Sequence, residues 1–377
     1  MPAHTTIVID NGGHTCKVGF AGQDNPVRTM PNGLAKSKSE HKVFIADQFD
    51  ACQDFSALQY RLSLERGCLV NWDTQAEVWA RAFGPEVLGV NPSDCSLLLS
   101  ETPMCPTAIQ DTLDEMVFEH FGFESYCSRP APVLAALAVQ KQQGESPPRP
   151  ASLVVDAGFS STHCMPIFGG TPLNFATKRL AVGGKMLTNH LKQIVSYRSY
   201  NVMEETHLIN DVKERLCYVS LDLPSELALT RFKGKKNTLR RDFIMPDYVN
   251  YFRGRIRDPN APEPTATNGT AATGSGTGTA TAGGGGGVSS KAREKKSAAA
   301  SEEQVLKLSN ERISVPEILF QPSDIGIDQA GVAECVLQAG DACLPDLREP
   351  LYSNIIVTGG SALLYACTGG AHAHAHA

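Results

Sequence analysis

The chain has 377 residues, 34 of them Lys or Arg and 40 Asp or Glu, giving a formal charge of −6. That balance supplies no electrostatic reason to bind nucleic acid or an anionic membrane surface. With 42% hydrophobic and 20% charged residues, the composition fits a sizeable core spread over two or three domains, and the sequence suggests neither a bilayer-spanning run nor a secretory leader.

Residues 5–10 (TTIVID) are a β-branched run that enters the turn NGGHT and returns as CKVGFAG, which predicts a hairpin. Residues 109–121 predict a helix with Ile109, Leu113, Met116, Val117 and then His120 or Phe121 on one face. Residues 152–156 (SLVVD) repeat the first pattern, with the turn AGFSST and the return run HCMPIF. Both segments read strand–Asp–x–Gly–turn–strand, and their aspartates, Asp10 and Asp156, lie 146 residues apart. Residues 186–197 and 210–219 predict helices, and residues 354–358 (NIIVT) predict a strand leading into Gly359-Gly360. A hairpin-then-helix unit used twice predicts a duplicated α/β architecture with a cleft between its halves.

Nine of the 33 glycines fall in residues 265–290, where 24 of 26 residues are Gly, Thr, Ala or Ser. Such a stretch cannot bury enough apolar surface to offset its ordering entropy. It predicts a flexible insertion, about 258–300, bounded by Pro259, Pro262 and Pro264 and by the basic run 291–296. The eleven cysteines contain no CxxC pair, which suggests reduced thiols in a cytosolic or nuclear protein.

An aspartate at a strand end beside a glycine turn suits phosphate and metal chemistry. Turn N–H groups form an anion-binding concavity. The carboxylate holds Mg²⁺ mostly through water, because that ion dehydrates reluctantly. One such hairpin is common without a ligand. Two of them with a strand-terminal Gly-Gly could close on a nucleotide, with Asp10 and Asp156 around one Mg²⁺.

The segments IVIDNGGHTCKVGFAG, VVDAGFSSTHCMPI, DVKERLCYVSLDL (211–223), NERISVPEILFQPSDIGI (310–327) and IIVTGG (355–360) resemble the actin-related protein family, in order and over nearly the whole chain. VNWD (70–73) and VGGKMLTNHLKQIVSYR (182–198) resemble its nuclear members. The resemblance implies an actin-like duplicated ribonuclease-H-type fold, with two lobes around a nucleotide cleft. The first lobe would be residues 1–140, with a small insertion subdomain at 33–68, and the second residues 141–364. It implies ATP or ADP with Mg²⁺ in the cleft. Asp10, Gly12, Gly13 and Lys17 fall on the first phosphate loop, and Asp156 and Gly158 on the second. Gly184, Lys213 and Glu214 match positions packed around the adenosine. Gly359, Gly360 and Ser361 match the third nucleotide-contact turn.

The resemblance also implies a nuclear subunit of a Swr-type chromatin remodeller, which exchanges a core nucleosomal histone for its variant. The cytoplasm is a second location. Its partners would be a remodelling ATPase, RuvB-like proteins and a zinc-finger HIT-domain subunit. DNA contact through residues 291–296 or RGRIR (253–257) is a further expectation. Sugar kinases and chaperone ATPases share the duplicated fold, but the actin-type wording of the long motifs argues against them.

Some departures from the family bear on chemistry. Gly13 stands where ATP-hydrolysing actins carry serine, and His14 replaces a glycine. Phe159-Ser160 replace Asp-Gly in the second loop, and Ala131, next to Pro132, stands at the water-orienting glutamine. Phosphoryl transfer depends on positioning and electrostatics. These losses predict a nucleotide binder with impaired or absent hydrolysis, against the alternative of a polymerising, ATP-hydrolysing cytoskeletal protein. After Leu364 the resemblance stops, so the C-terminal part reads as truncated. Residues 365–377, with His372, His374 and His376, read as an aberrant tail.

Overall fold

The computed structural model describes residues 5–37, 42–52, 54–55, 58–144, 150–248, 251–259 and 303–367. The expected insertion at 265–290, the basic run 291–296 and the histidine tail lie outside the described residues.

The fold is mixed α/β and of the actin type, built around two related sheets. In the first, the hairpin Thr5–Asn11/Thr15–Phe20 is extended by Arg28–Pro31 on one side. On the other side Cys95–Glu101 lies parallel to Thr5–Asn11, followed by the parallel strand Ser125–Pro130. The second sheet repeats the plan. The hairpin Ala151–Ala157/Thr162–Phe168 is flanked by Thr171–Pro172 and Lys178–Leu180, and Ile355–Thr358 pairs parallel to Ala151–Ala157. The registers match as well: Asp10 lies opposite Ser100 and Asp156 opposite Thr358.

Each sheet has its own core. Ile7, Ile9, Val18, Leu97 and Leu99 pack against Trp79 and Val117 in the first. Leu153, Val155, Leu187, Leu191 and Val212 pack together in the second. The run SLVVD is apolar without alternation because both of its faces are buried. Val154 points away from the main cluster, with Met165, Ile167 and Ile356, and meets Val133 and Ala136. Those two belong to the helix Ala131–Gln143, which leaves the first sheet directly after Ser125–Pro130 and covers the far face of the second. One helix therefore links the halves.

A small sheet with Gly33–Ser37 between Val43–Ile45 and Leu58–Leu62 rises from the first lobe. Its neighbour Phe55 stacks on His207 of the second lobe at 4.3 Å, so the two halves also meet there.

Two helices differ from the sequence expectation. The helix expected at 210–219 is Thr206–Leu216. Beyond Leu216 the chain is drawn out straight, because the Tyr218 and Val219 N–H groups donate to the Arg312 and Leu364 carbonyls. The helix expected at 109–121 is regular over Thr107–Glu115 and widens to a π-turn over Met116–His120. The extra residue in that turn lets Met116 and Val117 both face the core.

Candidate functional site

The two hairpin turns face each other between the sheets. Asp10 is the penultimate residue of its strand, and its carboxylate is held by two groups. Ser100 Oγ donates to Asp10 Oδ1 at 2.5 Å, and Lys17 Nζ lies 3.7 Å from Asp10 Oδ2. Ser100 also accepts the Asn11 N–H at 3.1 Å. Behind the turn, Asn32 donates to Asn11 Oδ1 and to the Gly12 carbonyl, and Gln75 donates to Asn32. This amide network fixes the first turn from below.

Asp156 stands across from Asp10. Burial and the facing Asp10 charge push its carboxyl up to about 6 from 3.8, and Lys17 offsets this only in part. Two carboxylates sharing a site resist joint ionisation. A divalent cation between them removes that penalty. Among the described residues no group of three or more His, Cys, Asp or Glu could hold a metal. Two facing carboxylates suit Mg²⁺, which is held by one or two carboxylates together with water and substrate phosphate.

The turns themselves are in contact. A Cβ built on Gly13 would lie 2.5 Å from Ser160 Oγ. The His14 ring stacks on Phe159 with centroids 4.6 Å apart. Phe159 also leans on Gly184, whose added Cβ would lie 3.4 Å from its ring. Burial first, then Lys213 and His207, pull His14 down to about 4, so it is neutral near pH 7. Among the described residues, the N–H groups of Gly13, His14, Phe159 and Ser160 meet no protein acceptor. Four such donors on two facing turns suit an anion.

The second turn is locked from the other side. The N–H groups of Gly184 and Lys185 donate to the Gly158 and Phe159 carbonyls at 3.0 and 2.8 Å, and Ser361 Oγ donates to the Gly158 carbonyl at 3.1 Å.

A family model described as Actin matches residues 1–368. The chain belongs to the actin family. It is similar to proteins named actin-related protein 6 in three organisms. The rice (Oryza sativa subsp. indica) protein is 42% identical over 358 residues, covering 95% of this chain and 82% of the relative. The Arabidopsis thaliana protein is 39% identical with 95% and 82% covered, and the Drosophila melanogaster protein 34% identical with 96% and 82% covered.

The structure of this actin-family chain brings Asp10, Gly12, Gly13, Lys17, Asp156, Gly158, Gly184, Gly359 and Ser361 to one place. Lys213 and Glu214 part company. Lys213 is buried, and its ammonium donates to the Gly184 carbonyl, Thr188 Oγ1 and Asn210 Oδ1 at 2.9–3.2 Å. Glu214 is exposed and accepts from Asn210 Nδ2 at 2.7 Å. Gly359 and Gly360 also differ. Gly359 has φ +93° and sits against Ala157 and Asp156, whereas a Cβ on Gly360 would meet nothing within 4 Å. Ala131 opens its helix and presents only a methyl group.

Three site residues carry no sequence signal as strong as the aspartates. Gly183 lies closer to the second turn than Gly184, since its added Cβ would strike Ser161 N at 2.6 Å and the Phe159 carbonyl oxygen at 2.7 Å. Ser100 reaches Asp10 through parallel pairing across 90 residues. His163 is the register partner of Asp156, and its buried Nε2 has no hydrogen-bond partner.

The arginines of RGRIR are largely engaged. Arg255 and Arg257 pair with Glu303, and Arg257 also pairs with Asp242.

Lys213→Met should destabilise the second lobe by about 1–3 kcal/mol, because three inward-facing acceptors lose their charged donor. A melting temperature equal to wild type in scanning calorimetry would refute that bracing role.

Proposed function

We propose that this chain is a nucleotide-binding, weakly hydrolysing or non-hydrolysing member of the actin family, serving as a subunit of a nuclear remodelling complex that exchanges a core histone for its variant. The supporting observation is at the turn tips. Gly13, His14, Phe159 and Ser160, all departures from the hydrolysing loops, pack against one another. Below them Asp10, Lys17 and Asp156 retain the groups a Mg²⁺–phosphate ligand needs. Asp10 and Asp156 would hold the ion through water, and Lys17 would neutralise phosphate charge. The ion would shield the two carboxylates from each other. Ala131 offers no amide to orient water, and the Phe159 ring replaces a carboxylate. A ligand bound only by the folded state then acts by mass action, tying the lobes together.

The likeness to proteins named actin-related protein 6 supports the actin-related part of this reading. The proposed partners are a remodelling ATPase, RuvB-like proteins and a zinc-finger HIT-domain subunit. Affinity purification of the tagged chain from nuclear extract should recover all three in one complex. Recovery of filaments that pellet with ATP and Mg²⁺, and of none of these partners, would favour a polymerising cytoskeletal role instead.

A further inference from the structure

We infer that the cleft selects a nucleoside diphosphate over a triphosphate, because the two turn tips between which the proposed phosphates would extend are closed against each other. This inference rests on the nucleotide reading above and narrows it to one ligand class.

The steric argument comes from four contacts. A Cβ built on Gly13 would lie 2.5 Å from Ser160 Oγ, so the two tips are in contact and a phosphoryl group enters between them only if they part. The His14–Phe159 stack, at 4.6 Å and 25° between planes, closes the same place from the side. Phe159 is backed in turn by Gly184, so it cannot retreat into the second lobe without displacing the start of the helix Gly184–Arg198. Gly183 blocks the turn's backbone in the same direction.

The charge argument agrees. A terminal phosphoryl group brings at least one more negative charge. Lys17 already faces Asp10 at 3.7 Å. Lys213 is turned toward three acceptors of its own lobe. His14 is uncharged at neutral pH, since burial and the nearby Lys213 hold it at about 4. None of these three groups is left to meet the added charge at the tips. A diphosphate with Mg²⁺ needs only the floor of the site, where Asp10, Lys17 and Asp156 stand.

The test is isothermal titration calorimetry of the full chain with Mg²⁺ and either ADP or a non-hydrolysable ATP analogue. ADP should bind more tightly by about tenfold or more, on the scale of breaking an aromatic stack and desolvating a charge. Beryllium fluoride, which occupies the terminal phosphoryl place, should not tighten ADP binding. The double variant Phe159→Ala/Ser160→Gly opens the tips and should bring the two affinities together. The beryllium fluoride arm uses the unaltered chain and keeps the test valid if the variant does not fold. Equal affinity of the unaltered chain for ADP and the ATP analogue, or tightening by beryllium fluoride, would overturn diphosphate selection and leave the nucleotide reading standing. Absence of binding by either nucleotide would overturn both.

Discussion

Asp156→Asn should stabilise the ligand-free protein at pH 7–8 and abolish its response to Mg²⁺–nucleotide. The carboxyl is raised to about 6 from 3.8 by burial and by the facing Asp10. A raised acid favours the folded state fully at low pH, and that contribution is lost as pH rises through about 6. At about 1.4 kcal/mol per unit, the ligand-free protein gives up roughly 2–3 kcal/mol at this site between pH 4 and 7. Asparagine keeps the shape and removes the charge, so it escapes that loss. His14 and His163 work in the opposite direction. Both are lowered to about 4, so the stability they contribute is lost as pH falls from 6.5. Their effect cancels in the difference between variant and wild type. Scanning fluorimetry from pH 4.5 to 8 should show variant and wild type close together at the acid end. The variant should melt higher above pH 6, by about 2–4 °C per kcal/mol. Saturating Mg²⁺–ADP should raise the wild type by about 3 kcal/mol at a hundredfold excess over the dissociation constant, and leave the variant unmoved. Parallel melting curves over the whole range, or a variant that still responds to ligand, would show that the two carboxylates do not share a cation.

The paired glycines of the third turn separate folding from binding. At Gly359 two costs combine. Its φ of +93° disfavours any side chain, and a Cβ there would lie 2.5 Å from the Ala157 carbonyl oxygen and 2.7 Å from Asp156 Oδ1. Backbone strain of about 1–3 kcal/mol and overpacking of similar size make Gly359→Ala a folding defect, expected as loss of soluble protein or a large drop in melting temperature. Gly360 has open space around it and no left-handed φ. Gly360→Ala should therefore change stability by about 0.5 kcal/mol or less, yet weaken nucleotide binding if sugar or base approaches that turn. Measuring melting temperature and ADP affinity on both variants distinguishes the roles. A Gly360→Ala protein with unchanged affinity would place the sugar and base elsewhere.

Much of this fold can be read from the chain because the same local pattern occurs twice. Each β-branched run that ends in Asp and a glycine turn specifies a hairpin by itself, and the structure forms both. The limits of the helix at Thr206–Leu216 could not be read that way, since the residues that pull 217–219 straight lie about 94 and 145 positions downstream. The site divides along the same line. Asp10, Asp156 and the turn glycines are local signals. Ser100, Asn32 and Gln75 act on the first turn only through strand pairing and packing, so nothing near them in sequence marks them. His14 and Phe159 stand out singly as odd residues in a phosphate turn. Their stack joins positions 145 apart, and only the folded chain reveals it.

The proposal that the cleft binds nucleotide without turning it over is tested most directly by phosphate release from ATP in the presence of Mg²⁺, on the purified full chain. The expected result is release at the rate of the protein-free control, with the same preparation binding Mg²⁺–ADP by calorimetry. Phosphate release at the rate of a conventional actin run alongside would contradict it.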